Sequence, residues 1–117
     1  MNERFDSYLP LSSAALHILL ALAGEDLHGY GIMQEIARQS DGIYKLGAGT
    51  LYDNLQKLIQ RGWVQELGVR RGDDDPRRRY YRLTAGGRDL FRAETARLTQ
   101  VVREARARLR IPNPGRV

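Results

Sequence analysis

The sequence contains no cysteine, two histidines, two lysines and no long run of apolar residues. The lack of cysteine excludes a disulfide framework, a thiolate metal site and a thiol nucleophile, and it favours a reducing compartment. The longest apolar stretch, LHILLALA, is shorter than the ~18 residues expected of a membrane-spanning helix. The first residues also lack the basic start and apolar core of a secretory signal. We therefore expect a cytoplasmic protein that does not enter a membrane.

Catalytic residues are also scarce. His17 and His28 are not spaced to share a metal ion, and no phosphate-binding loop, activated nucleophile or carboxylate pair is recognisable. The run Asp73–Asp75 supplies adjacent carboxylates, whereas a metal site needs oxygens at fixed separations, so a turn that pairs with its own arginines is favoured. We expect no enzymatic activity, no cofactor and no metal.

The sequence is instead rich in arginine, which supplies 17 of the 19 basic residues. Residues 1–60 hold four basic and seven acidic residues, whereas residues 61–117 hold 15 arginines and seven acidic residues. The planar guanidinium group binds phosphates and the edge of guanine. This asymmetry favours a polyanionic partner, although a solvated basic surface would give the same composition.

Hydrophobic periodicity predicts three short helices at the start of the chain. Ser12 or Ser13 caps the first helix, which extends to about Ala23. Its clearest apolar stripe consists of Leu16, Leu19, Leu20 and Ala23. Because this helix is apolar nearly all round, we expect it to be buried. The second helix covers about residues 30–39 and the third about residues 48–60.

A hairpin and a long helix complete the predicted order. Two β-prone runs, residues 63–69 and 79–84, flank a loop rich in glycine, aspartate and proline. Thr84 caps a last helix that extends to about Leu109. Three helices followed by a hairpin are typical of a winged helix-turn-helix, so we predict a mainly α (α+β) fold with a two-stranded wing and a long C-terminal helix.

The chain is long enough for one domain with an appended helix. We divide it into an N-terminal arm (1–10), a winged helix-turn-helix DNA-binding domain (11–84), a C-terminal dimerisation helix (85–110) and a flexible tail (111–117). The last helix carries an apolar seam, namely Phe91, Leu98, Val101, Val102, Ala105 and Leu109. Pairing with a second copy would bury this seam. It would also place the two DNA-reading helices, which are the third helix of each copy, about 34 Å apart. Alternatively, the last helix folds back onto its own domain.

The third helix is amphipathic. Its predicted inward face consists of Leu51, Leu55, Leu58 and Ile59. Its outward face consists of Thr50, Asp53, Asn54 and Lys57, with Tyr52 at the edge. Thr50 suits a base edge or a thymine methyl group, Asn54 an adenine, and Lys57 a phosphate or guanine. Asp53 is repelled by phosphates unless cytosine donates a hydrogen bond to it, and an ordinary solvated helix has the same polarity.

Glycines lie at the start of two predicted helices. Gly47 and Gly49 let a ligand approach the backbone at the start of the third helix, where free amides bind anions. Gly29 and Gly31 indicate the same at the second helix. Together with the polar outward face, they favour a DNA-binding surface that includes Gly49.

The predicted wing is rich in arginine. The arginines that flank its loop are Arg70, Arg71, Arg77, Arg78 and Arg79, with Arg82 just beyond. A cationic loop beside a groove-binding helix fits contact with the DNA backbone or the minor groove. The acidic tip lowers the net charge of the wing, and a solvated hairpin is the alternative.

Trp63 begins the first predicted strand and is expected to pack there. A second interpretation places Trp63 and Phe91 in the wall of an effector pocket near the dimer seam. Both alternatives stay open at the level of the sequence.

Four motifs at these separations resemble the PadR family of winged-helix transcriptional regulators: LSSAALHILLAL, LHGYGI, GTLYDNLQKLIQRGWV and RRRYYRLTAGGR. They cover most of the chain, and the single last helix is similar to the shorter-tailed branch of that family. The resemblance implies DNA contacts at Tyr30, Thr50, Tyr52 and the wing arginines.

The chain departs from the family pattern at the third helix. The family often has Ser-Pro where this chain has Gly47-Ala48, so we expect a weaker helix cap. It often has Pro where this chain has Asp53, so the family pattern does not define the base contacts of this helix. The wing tip, Asp73–Asp75, is also more acidic than the family pattern.

The residues and the resemblance together predict a sequence-specific DNA-binding transcriptional regulator. The resemblance implies a homodimer that binds a pseudo-palindromic operator in double-stranded DNA, represses transcription and, in many members, is released by a small-molecule effector. The alternative is a winged-helix protein-interaction module with only weak, non-specific nucleic-acid binding. In that case, charge reversal on the third helix would leave partner binding intact.

Overall fold

The computed structural model describes residues 3–68, 75 and 78–112 of the chain. In chain order the elements are a 3₁₀ helix Glu3–Tyr8, α1 (Ser13–Gly24), β1 (Leu27–His28), α2 (Gly29–Gln39), α3 (Ala48–Gln60), β2 (Val64–Gly68), β3 (Tyr80–Leu83) and α4 (Ala85–Leu109). The predicted winged helix-turn-helix with its long C-terminal helix is confirmed. Among these residues, no helix combines the length and apolarity that crossing a membrane requires.

Some predictions concern residues that the structure does not describe. The residues concerned are Arg70, Arg71 and Arg77 of the wing, Asp73 and Asp74 at its tip, and the tail from residue 113 onward. They lie outside the described residues, so the contacts predicted for them stay predictions.

Polar side chains cap the N-termini of α1 and α4, at the positions that the sequence predicts. The Ala15 amide donates to Ser12 Oγ (3.1 Å) at α1, and the Gly87 amide donates to Thr84 Oγ1 (3.0 Å) at α4. Each bond satisfies an amide that has no partner within its own helix. Thr84 also donates to the Gly62 carbonyl (2.6 Å), which fixes the start of α4 against the turn after α3.

The sheet has three antiparallel strands in the order β1-β3-β2. β2 and β3 form the predicted hairpin, in which Val64 lies opposite Leu83 and both are buried. The sequence predicts no strand before the hairpin, so the two residues of β1 are not predicted. They form a strand because Leu27 pairs with Tyr81 of β3, an interaction between distant parts of the chain.

The core lies between α1, α2, α3, the sheet and the first half of α4. Its most completely buried side chains include Ile18, Leu22, Ile36 and Leu90. In α3, Leu51, Leu55 and Leu58 are buried and Ile59 is partly buried. The inward face of α3 therefore follows the predicted periodicity.

The prediction that α1 is buried all round is wrong on one side. Leu19 has no exposed surface, whereas Leu20 is 38% exposed and Leu16 is half-buried. Other sides of α1 are covered by α2, α3 and β3, but Leu16 and Leu20 face a groove beside α4. Part of the predicted apolar stripe therefore lies at the surface.

The segment predicted to be an N-terminal arm packs against the body of the protein. Phe5 is buried in the core, and Arg4 lies 3.7 Å from Asp89 of α4. The Leu11 amide donates a hydrogen bond of 2.9 Å to Glu94 Oε2, also in α4. These contacts hold the segment along the first half of α4.

Candidate nucleic-acid interface

The outer face of α3 is accessible to a partner. Thr50, Asp53 and Lys57 are exposed, and Tyr52 lies half-exposed at the edge. Lys57 Nζ lies 3.5 Å from Asp53 Oδ2, and Asn54 Nδ2 donates to the Thr50 carbonyl at 2.8 Å. Because both contacts lie at the surface, binding to a base or a phosphate would replace them.

The start of α3 is open. Gly47 occupies the N-cap position without a side-chain hydrogen bond, in agreement with the weaker cap expected from the Gly47-Ala48 departure. A β-carbon added at Gly47 or Gly49 would have no heavy atom within 4 Å. Internal packing therefore requires neither glycine, and the amides of the first turn are accessible to an external anion.

The glycines at the start of α2 have a different role. A β-carbon at Gly29 would lie 2.2 Å from Tyr52 Oη, so α2 and α3 approach each other here only because Gly29 has no side chain. His28 caps the helix, since the Gly31 amide donates to its Nδ1 at 3.0 Å. The Gly31 amide is therefore not free to bind an anion, contrary to the expectation, and Gly29 makes room for Tyr52.

A cavity of about 300 Å³ lies between the base of the wing and the helix-turn-helix. It brings together four predicted DNA-binding residues, Tyr30, Tyr52, Arg78 and Arg79. Tyr81 also lines this cavity; burial first, and then the charge of Glu66, raise the pKa of Tyr81. The Tyr81 hydroxyl therefore stays protonated and able to donate a hydrogen bond at neutral pH.

Ion pairs occupy part of the predicted cationic wing. Arg82 binds Asp26 through two nitrogens, with Nη2–Oδ2 at 2.8 Å and Nε–Oδ1 at 3.2 Å. The hydrogen bonds and the charge of Asp26 raise the pKa of Arg82. Arg79 Nε lies 3.7 Å from Glu66 Oε1. Arg82 therefore does not extend the free cationic surface, because a carboxylate within the protein already neutralises it.

The sequence-based prediction does not include Arg61, which directly follows α3. Its guanidinium carbon lies 5.3 Å from the ring centroid of Tyr8 and 5.6 Å from that of Trp63. The two rings meet edge to face, with centroids 4.7 Å apart. The sequence could have indicated Arg61 by its spacing. Asn54, Lys57 and Arg61 are three and four residues apart, which places them along one side of a helix.

Trp63 and Phe91 line separate cavities within one chain. Trp63 is 8% exposed, packs just before β2 and borders a cavity of about 220 Å³ beside Tyr8. Phe91 lines a groove of about 550 Å³ between α1 and α4. The predicted common pocket is therefore not formed in a single chain, because Tyr8 covers Trp63 on one side of the molecule while Phe91 faces α1.

The apolar seam of α4 extends beyond the body of the protein. Leu90 is fully buried, but Val101, Val102 and Leu109 are 51%, 48% and 68% exposed. Of the other seam residues, Phe91 and Leu98 are half-buried and Ala105 is exposed. The seam thus begins beside the core and continues into solvent.

Glu94 is a buried carboxylate at the point where α4 leaves the core. It accepts hydrogen bonds from Arg97 (Nε–Oε1 2.5 Å, Nη2–Oε2 3.0 Å) and from the Leu11 amide. Burial raises the pKa of Glu94, but the hydrogen bonds from Arg97 and Leu11 and the charge of Arg97 outweigh this effect, so that the pKa lies below its usual value. Ionised Glu94 thus connects the N-terminal segment to α4.

Comparison with known proteins finds relatives of this architecture. The family model of the transcriptional regulator PadR-like family matches residues 18–93. Transcriptional regulator Rv3488 of Mycobacterium tuberculosis is 32% identical over 93 residues, which cover 80% of this chain and 82% of the relative.

Two solved structures share the fold. The crystal structure of a PadR family transcription regulator from Clostridium difficile is similar with a TM-score of 0.69 and 19% identity, over 84% of this chain and 98% of that chain. The crystal structure of Bacillus subtilis PadR in complex with operator DNA is similar with a TM-score of 0.62 and 21% identity, over 72% of this chain and 46% of that chain. At these identities the two likenesses establish the fold alone.

Proposed function

This chain belongs to the PadR-like family of transcriptional regulators, and we propose that it binds double-stranded DNA in a sequence-specific manner. We propose further that two copies bind a pseudo-palindromic operator and repress transcription until a small molecule releases them. The observation that carries the proposal is the accessible polar face of α3, which begins at an open helix start beside the base of the wing.

In this proposal α3 lies in the major groove. Thr50 contacts a base edge, the amides after Gly47 approach a phosphate, and Asn54 reads an adenine. Tyr30, Tyr52, Arg78 and Arg79 face the DNA backbone beside the groove. The Bacillus subtilis protein with the same fold is known in complex with operator DNA, which supports the proposal that this fold binds DNA.

The exposed seam of α4 supports a homodimer. A single chain leaves Val101, Val102 and Leu109 half-exposed or more, beside a groove lined by Leu16 and Leu20 of α1. A second copy of α4 would cover the groove and the seam residues beside it, since Phe91, Leu98 and Val102 of the seam also line the groove. A two-fold dimer would then place two α3 helices against successive turns of the duplex.

The same groove is the place where we propose that an effector binds. Its lining combines apolar Phe91, Leu98 and Val102 with the polar Thr95 and Thr99, a mixture that suits an aromatic or amphipathic small molecule. A ligand between α1 and α4 would change how the two reading helices are spaced. The proposed effector therefore acts on the dimer rather than on α3 itself.

Selection of DNA from a random-sequence pool tests the proposal. We expect the purified protein to enrich one inverted-repeat sequence and to bind it with two protomers per duplex, about 10³-fold or more tighter than a shuffled duplex. Fluorescence anisotropy measures both affinities at equal salt concentration. Weak binding with no enriched sequence would instead support the protein-interaction module.

A further inference from the structure

We propose that Arg61 is a phosphate-contacting residue and that Tyr8 of the 3₁₀ helix positions it. This inference rests on the proposed DNA binding and assigns to the N-terminal segment a role in it. The ligand is a phosphate group of the DNA backbone at the edge of the groove that α3 enters.

Two aromatic rings hold the guanidinium group of Arg61. Its carbon lies 5.3 Å from the Tyr8 centroid and 5.6 Å from the Trp63 centroid, within the range at which a cation is attracted to a ring face. The rings are themselves fixed, because Tyr8 meets Trp63 edge to face and Trp63 is buried. Arg61 therefore has a defined position although it is exposed at the surface.

Arg61 differs from Lys57, Arg79 and Arg82 in its charge environment. Lys57 has Asp53 at 3.5 Å, Arg79 has Glu66 at 3.7 Å, and Arg82 has a bidentate contact with Asp26. In the described part of the chain, no carboxylate lies within ion-pair distance of Arg61. Since aromatic rings orient a cation without neutralising it, the full charge of Arg61 stays available to an external anion.

The location of Arg61 fits contact with the DNA backbone. Asn54, Lys57 and Arg61 border the same cavity of about 220 Å³, so they lie along one side of α3. When α3 lies in the major groove, the residues at its end approach the phosphates that border the groove. Arginine contacts of this kind fix the register of the protein on DNA without reading its sequence.

The N-terminal segment fixes Tyr8 in place. Phe5 is buried in the core, Arg4 pairs with Asp89, and the Leu11 amide is bonded to Glu94. Arg61 is thus already held in place before DNA binds. Because little of its side-chain entropy is then lost on binding, the arrangement favours DNA affinity.

The test uses the full chain and the duplex selected by the wild-type protein. For Arg61→Ala we expect weaker binding to selected and shuffled duplexes alike. We expect the slope of log K against log salt concentration to become shallower by about 0.9 for each Arg61 that contacts a phosphate. Arg108→Ala removes an equal charge at the far end of α4, where the side chain is 82% exposed, and should leave both quantities unchanged.

Tyr8→Leu tests the positioning role, since it keeps an apolar side chain but removes the ring. We expect an affinity loss of roughly two- to fivefold, the factor that corresponds to an exposed cation–π contact. In the Arg61→Ala background, Tyr8→Leu should have no further effect. Thermal unfolding of each variant establishes that the fold is intact.

Distinct outcomes overturn the two proposals. If the wild-type protein selects no sequence and binds DNA without salt dependence, the proposed function fails. If it binds with a steep salt dependence that Arg61→Ala does not change, the assignment of Arg61 fails. An equal effect of Tyr8→Leu with and without Arg61 would show that Tyr8 acts through the fold and would overturn its positioning role.

Discussion

The carboxylate of Glu94 accepts a hydrogen bond from the backbone amide of Leu11, which lies 83 residues earlier in the chain. The same carboxylate binds Arg97, so that one buried charge joins the segment before α1 to the helix that follows the wing. The pKa of Glu94 is below its ordinary value of 4.5 because the hydrogen bonds and the charge of Arg97 outweigh burial. The folded protein therefore binds fewer protons than the unfolded chain in this pH region.

The contact of Glu94 predicts a pH dependence of stability. Its contribution is fully present above pH 4.5 and is lost as the pH falls through the lower pKa of the folded state. For Glu94→Gln we expect the free energy of unfolding to fall by about 1–3 kcal/mol at pH 7, because a buried charged acceptor of hydrogen bonds becomes a neutral amide. We also expect a smaller drop in stability between neutral and acidic pH. Urea unfolding at several pH values measures both.

Glu35→Gln is the matched control for this experiment. Hydrogen bonds from Arg38 lower the pKa of Glu35 as well, but Arg38 and Gln39, its partners, lie on the same helix. Its loss should therefore affect stability less than the loss of Glu94. Parallel pH profiles for wild type and Glu94→Gln would contradict the assignment of this dependence to Glu94.

Thr50→Glu separates DNA binding from folding. Thr50 is the third residue of α3, where a carboxylate favours the helix start by roughly 0.3–1 kcal/mol. In the proposed complex the same carboxylate would face phosphates, so we expect an affinity loss of about tenfold or more without a lower melting temperature. Gln100→Glu adds the same charge on α4 and should leave DNA binding unchanged. If Thr50→Glu binds DNA as tightly as the wild type, α3 is not part of the DNA interface.

Gly49→Ala has opposite expected effects on stability and binding. Alanine is favoured over glycine in a helix by up to about 1 kcal/mol, and the β-carbon would enter open space, so the melting temperature should rise. If the backbone here approaches DNA, the added methyl group weakens binding.

Gly29→Ala is the contrasting variant. Its β-carbon would displace Tyr52, so we expect a loss of about 1–3 kcal/mol of stability. Thermal unfolding and anisotropy measure the two effects side by side. Unchanged DNA affinity of Gly49→Ala would show that no close backbone contact occurs there.

Val102→Glu tests the proposed dimer. Val102 is half-exposed in the seam and lines the groove between α1 and α4, so a buried carboxylate there would oppose pairing of two copies. We expect a monomer by light scattering and, because bivalent binding is lost, an affinity for the inverted repeat at least ~tenfold weaker. Gln100→Glu, on another side of α4, should remain dimeric. A wild-type protein that is monomeric at all concentrations would contradict the proposal directly.

Local patterns in the sequence predict much of this fold. The spacing of Leu51, Leu55 and Leu58 identifies the inward face of α3, and Ser12 and Thr84 mark where α1 and α4 begin. These features depend on residues within one or two helical turns of each other, so they can be recognised from the local order of residues in the sequence.

Contacts between distant segments could not be predicted in the same way. β1 exists because Leu27 pairs with Tyr81, and Arg82 is neutralised by Asp26, 56 residues earlier. The ring contacts of Arg61 likewise depend on where the N-terminal segment packs. The exposure of Leu20 on an apolar helix depends on which elements cover it, and the composition of α1 does not determine that.

The docked N-terminal segment bears on the design of shorter fragments. A piece trimmed to residues 11–84 would lack the ring of Phe5 in its core and would have no carboxylate to receive the Leu11 amide. The smallest fragment that folds by itself therefore needs residues from both sides of the winged helix-turn-helix.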